Sequence, residues 1–221
     1  MIKVYRNIGY LFLILLVFVI AGFFKTYFVF IPNFPATTTR VIHFHALVLS
    51  AWVLLLIVQP LLIRYKKLKL HRMVGKSAYV LAPLVVASFI ALMFKHYHDQ
   101  KMETWTFRAM FSEYYFQGLH TLQFTLFYIL AMLYKKNVTL HGGYMIATGF
   151  IFINPSLLRV FLLVFAVPYP WAQTFTSLVT DGVILSLLFF IRSKGLDYRF
   201  LLVILATFLL YDIPMMLKVW G

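Results

Sequence analysis

Five side chains in this sequence have the type and the setting to do chemistry. His45, His120, Arg159, Asp181 and Asp212 each interrupt a long apolar run. An ionisable group inside a membrane is costly, so each is a functional candidate by default. Helical rise places His120 and Asp181 roughly 12 Å below one membrane face, Arg159 about 13 Å, and His45 and Asp212 roughly 10 Å. Two imidazoles and two carboxylates in one layer have the makings of a metal site: His45, His120, Asp181 and Asp212 would suit Zn, Fe or Mn. Two imidazoles facing each other across a bundle, with an arginine for a propionate, have the makings of a haem b site. On that reading His45, His120 and Arg159 act together. The simplest structural reading is that Arg159 and Asp181 form a buried ion pair and that the histidines are hydrogen-bonded packing residues.

A second pair lies toward the other face, where Leu70-His71-Arg72 and Leu140-His141-Gly142-Gly143 each lead into an apolar run. His71 and His141 read either as interfacial residues or as a second set of ligands. Nearer the first face lie His43, Glu113, and His96 and His98, the last two in Lys95-His96-Tyr97-His98-Asp99, which reads as a wet loop.

These residues must be positioned by membrane helices. The chain has 221 residues, of which 63% are apolar and 12% charged, and it has no cysteine. That composition excludes a disulfide scaffold, a zinc ribbon and a cysteine nucleophile. A soluble surface cannot be made from so few polar residues. A spanning helix needs about 20 apolar residues, and seven stretches meet this: 8–31, 39–63, 73–94, 112–134, 142–167, 173–191 and 200–219. The links are short, so residues 1–221 read as one all-α, seven-helix membrane domain. The first stretch reads as a retained anchor rather than a cleaved signal peptide.

The net charge of +14 is a topology signal more than a nucleic-acid signal. With the N-terminus inside, thirteen of the twenty Lys and Arg residues face the cytoplasm, six face out, and Arg159 lies within a helix. This split predicts a cytoplasmic N-terminus and an external C-terminus. Trp105, Trp171 and Trp220 then share the outer interface, and anionic lipid is expected at the cytoplasmic face. The expected location is a bacterial inner membrane, with a redox partner or small molecule arriving from outside.

The histidines alternate along the chain: His45 and His120 on helices two and four, His71 and His141 on helices three and five. This alternation resembles the transmembrane ascorbate-dependent ferric reductase family of b-type cytochromes over roughly residues 41–163. The resemblance implies two stacked haems and electron transfer across the bilayer. The motifs His43-Phe44-His45-Ala46, Ser50-Ala51-Trp52 with Gln59, Leu70-His71-Arg72-Met73-Val74-Gly75, His141 with Met145, Ala147-Thr148 and Arg159, and Thr180-Asp181 resemble an uncharacterised group of bacterial membrane proteins. That resemblance implies no activity. A metal site with an open position would activate water for lipid amide or ester hydrolysis, which resembles seven-helix membrane hydrolases such as the alkaline ceramidases. The chain lacks their helix-borne histidine pair at i and i+4. A third class is a non-enzymatic assembly or accessory subunit whose polar layer locks the helices. No phosphate-binding glycine loop, helix-borne H-E-x-x-H or G-x-S-x-G occurs.

Overall fold

The structure is a computed structural model that describes residues 8–99 and 107–220. Lys3, Arg6, Lys101 and Trp105 lie outside the described residues, as do the side chains of Arg108 and Glu113. Every regular element among the described residues is a helix. In chain order they are α1 (Ile8–Phe24), α2 (Arg40–Arg64), α3 (Leu68–Gly75), α4 (Ala78–Asp99), α5 (Phe107–Leu133), α6 (Val138–Phe150), α7 (Ile153–Leu163), α8 (Tyr169–Ser193) and α9 (Arg199–Trp220).

Six segments are long and apolar enough to cross a bilayer: α2, α4, the Tyr114–Leu133 part of α5, α6 with α7, α8, and the Arg199–Lys218 part of α9. α1 has 17 residues, a rise of about 25 Å, and is the shorter apolar helix of the set. The expected first span to residue 31 instead stops at Phe24, and a single 3-10 turn follows at Phe28–Phe30. Leu47, Leu122 and Leu217 turn outward, as lipid contact requires.

Successive long helices alternate in direction. One end of the bundle gathers Arg64, which lies over the Tyr10 ring, and the short basic helix α3. The other end joins Tyr27 to His43 and Trp171 to Trp220, whose ring centroids are 4.9 Å apart. We call these the basic end and the tryptophan end. The turns have local causes. Asn137 caps α6 by accepting from the backbone N–H of Thr139 and Leu140, which satisfies two donors the helix cannot. Gly195, at φ 66°, supplies the left-handed residue after α8.

The expected fifth span is broken. Pro155 has no N–H to offer the carbonyl four residues earlier, and the helix interrupts at Ile151 and Phe152, where Phe152 N–H turns back to Gly149. The break sends the two halves to different neighbours. α6 packs on α5, α9 and α2, whereas α7 packs on α1 and α8. α6 is buried at every residue from Ile146 to Phe150. Small residues make this possible: a Cβ on Gly143 would lie 2.2 Å from the Phe200 ring and one on Gly149 2.4 Å from the Phe12 ring. Between α1 and α7 the approach is of backbone to backbone, since a Cβ on Gly22 would lie 2.4 Å from the Ser156 carbonyl oxygen. Such contacts through small residues are how membrane helices gain packing.

Several of the sequence motifs resolve into these contacts. Trp52, fully buried, donates through its indole to Thr148 Oγ1 at 3.1 Å, and Thr148 donates onward to the Met145 carbonyl at 2.7 Å. This chain ties α2 to α6.

Candidate functional site

A cavity of about 540 Å³ lies beside the helix break. That is within the range of small-molecule and cofactor sites. Its walls come from α1, α2, α4, α5 and the α6–α7 junction, and most are apolar, including Val19, Phe23, Ile42, Phe89 and Phe152. Three of the five residues predicted to converge line it: His45, His120 and Arg159.

His45 has a defined tautomer. Its Nδ1 is 3.1 Å from Ser88 Oγ, and the Ser88 hydroxyl donates to the Val85 carbonyl at 2.7 Å. With that proton on the Val85 carbonyl, Ser88 Oγ accepts from His45 Nδ1–H. Nε2 is left with its lone pair. A neutral imidazole oriented this way by its other nitrogen is the usual form of a metal- or haem-ligating histidine. The ring also packs edge-on to Phe89.

His120 is held differently. Its ring stacks on Tyr211 with centroids 4.2 Å apart, and among the described residues its nitrogens have no hydrogen-bond partner. Arg159 is not paired with Asp181, contrary to the ion-pair expectation. Its Nη1 donates to the Pro155 carbonyl at 2.8 Å and its guanidinium lies 4.4 Å from the centre of the Phe23 ring. No carboxylate among the described residues reaches it. A desolvated cation without an anion is costly.

Asp181 and Asp212 do not line this cavity. They sit between α8 and α9, where Asp212 accepts from the Ser177 hydroxyl. Among the described residues no group of three or more His, Asp or Glu side chains is placed to hold a metal ion, so the four-residue set of His45, His120, Asp181 and Asp212 does not assemble. The expected common depth gives one coordinate only; the helix faces that carry these side chains put three of them at the cavity and leave the other two away from it.

His96 and His98 are carried on the last turns of α4, not in a loop. Lys95 and Asp99, one turn apart, form an ion pair there, and both line the cavity together with His96. The sequence reading passed over Ser88, Ser156 and Asp99. A serine in an apolar run carries no signal of its own, because a hydroxyl can return its proton to its own helix. Asn154-Pro155 in the middle of an apolar span was the available signal for the break.

At the basic end, His71 lies on the separate short helix α3 rather than on a spanning helix. In the orientation that satisfies both ends of its amide, Gln59 donates to His71 Nδ1 and accepts from the Gly75 N–H at 3.0 Å. His141 Nδ1 is 2.8 Å from the Ala131 carbonyl and must donate to it. Burial is the main cause that pushes the His71 imidazole below its ordinary value; His141 and Arg72 add to this, and the Gln59 contact partly offsets it.

Comparison with protein-family models, with curated proteins and with solved structures returns no match for this chain, and the functional argument rests on the cavity's own residues.

Proposed function

We propose that this chain is an integral protein of a bacterial inner membrane, with its basic end and N-terminus in the cytoplasm, its C-terminus outside, and seven spans counting α1. In this frame the cavity lies in the outer half of the bilayer and holds one haem b between His45 and His120. The protein is then an electron carrier of the b-type cytochrome kind, exchanging electrons with a redox partner or small molecule at the outer side.

One observation carries the reading. Of the three imidazoles that line the cavity, His45 has its Nε2 left over by the Ser88 contact and His120 has no hydrogen-bond partner among the described residues. The remaining needs of the cofactor are met by the same walls. Arg159, which no carboxylate among the described residues reaches, is suited to a propionate. Phe23, Phe89 and Phe152 exclude water. A haem held by His45 and His120 would supply one-electron transfer. The reading asks for one haem. At the other end, His71 Nδ1 is taken by Gln59, so we assign His71 and His141 a structural role. The hydrolase reading draws no support, because Asp181 and Asp212 face another interface. The basic end meets anionic lipid.

The test is the visible spectrum of purified protein expressed with ample haem. A reduced-minus-oxidised b-type band is expected at about one haem per chain, lost in His45→Ala and in His120→Ala. Ser88→Ala should retain the band with roughly 10–100-fold weaker haem affinity, as for other partners of a ligating histidine. A colourless wild-type protein, or full haem content in both histidine variants, overturns the proposal.

A further inference from the structure

The seam between α8 and α9 is separate from the cavity and has its own unsatisfied chemistry. Gln173, Ser177 and Asp181 recur every four residues on α8 and so share one face. Across from them on α9 is Asp212, 2% exposed. Gln173 Nε2 donates to Ser177 Oγ at 3.3 Å, and Ser177 donates to Asp212 Oδ1. Asp181 lies one turn beyond Ser177 on the same face of α8.

Three atoms remain over: Gln173 Oε1, Asp181 Oδ1 and Asp212 Oδ2 are buried without a hydrogen-bond partner among the described residues. All three are acceptors. Gln173 is only 1% exposed, and the amide whose nitrogen meets Ser177 leaves its oxygen with no donor. The neighbouring hydroxyls cannot help, because Thr176 and Thr180 donate to the carbonyls of Ala172 and Thr176 on their own helix. Arg159, the cation on the adjoining helix, is turned to Pro155 and Phe23. A buried set of acceptors with no donor calls for an ion or other unseen partner.

We propose that Gln173, Ser177, Asp181 and Asp212 form a site for one hard metal cation between α8 and α9. The ligands are all oxygen: two carboxylates, an amide carbonyl and a hydroxyl. Such donors suit Ca²⁺, Mg²⁺ or Na⁺ rather than Zn²⁺ or copper. Two carboxylates balance a divalent ion, and Ca²⁺ accepts mixed carboxylate and carbonyl oxygens in irregular geometry more readily than Mg²⁺. Ca²⁺ is therefore the expected occupant. Bound, it neutralises the seam and clamps α8 to α9. The site does not depend on the haem reading.

The experiment is thermal unfolding of the full chain in detergent after chelation, with CaCl2, MgCl2, NaCl or choline chloride added at equal ionic strength. Equilibrium dialysis with metal quantification runs in parallel. Ca²⁺ at a hundredfold excess over its Kd should raise the midpoint by about 5–10 °C, with about one ion bound per chain and no response to choline. Asp181→Asn and Asp212→Asn should lose both effects. Gln173→Met keeps the charges and the volume; it should still bind, about tenfold more weakly, which preserves the test if a carboxylate variant fails to fold. A midpoint that responds only to lower pH means that protons alone occupy the seam, and this overturns the proposal. So does a metal response that Gln173→Met and both carboxylate variants retain unchanged.

Discussion

The cavity and the α8–α9 seam lie in neighbouring parts of one bundle and are chemical opposites. The cavity holds a guanidinium that no carboxylate among the described residues reaches, and three imidazoles, of which His45 is oriented by Ser88. The seam holds one oxygen of each of two carboxylates and an amide oxygen without a donor among the described residues. α7 and α8 pack on each other, so Arg159 and Asp181 are on adjoining helices and still do not pair. Opposite charges that would neutralise each other in a low-dielectric medium are kept in separate interfaces. A purely structural polar layer would be expected to pair them, because a buried ion broken from its partner costs about 3–5 kcal/mol. Their separation is the reason to look for an anionic group at one site and a cation at the other.

The largest expected effect tests the cationic side of this contrast. Arg159→Met should lower retained haem about 10–100-fold, the worth of a charge-assisted hydrogen bond lost from a buried site. Arg159→Lys should fall between it and the wild type, since lysine keeps the charge without the planar fork. Pyridine haemochrome assay per chain measures both. Equal haem content in all three proteins would mean that the guanidinium does not serve a bound anion.

A smaller effect separates the two regions by their packing. The cavity wall formed by Val19 and Phe23 depends on α1 lying against α7 at Gly22, where an added Cβ would meet the Ser156 carbonyl at 2.4 Å. Gly22→Ala should cost about 1–3 kcal/mol, as overpacking does. Gly182→Ala, beside Asp181 on α8, has nothing within 4 Å of the new Cβ. It should be neutral or stabilising by up to about 1 kcal/mol, since alanine favours the helix. Denaturant unfolding in mixed micelles compares the two, and equal costs would dissolve the distinction.

The smallest effect lies at the basic end, away from both regions. His71 takes up a proton near its ordinary value of 6.5 when unfolded and only at lower pH when folded. The unfolded state then binds more protons in that window, so stability should fall as pH drops through 6.5. His71→Gln should flatten that part of the stability profile. An unchanged slope would mean that His71 does not contribute to it.

Much of the fold was legible from residue order alone. Apolar runs of about 20 residues mark where spans occur because the bilayer sets their length, and the spans α2, α4, α5, α8 and α9 fall close to the stretches read from hydropathy. The exceptions are local. α1 ends at Phe24 although apolar residues continue to Ile31, because hydropathy measures affinity for lipid and not continuity of the helix. α6 and α7 separate within one apolar run because Pro155 removes a backbone donor. His71 leaves its expected span for the short helix α3.

What the sequence could not decide is the angle at which each side chain leaves its helix and the neighbour it meets there. His120 and Asp181 were assigned the same depth, yet one stacks on Tyr211 beside the cavity and the other does not line it. The stripe Gln173, Ser177, Asp181 was present in the order of residues, at a spacing that puts it on one face. Its meaning required Asp212, 31 positions beyond Asp181, to be brought opposite. Composition and rise per residue are properties of a single helix and can be read along the chain. Rotation and partnership are set by close packing among several helices, at glycines such as Gly22, Gly143 and Gly149 where they touch. Those contacts exist only once the bundle has formed.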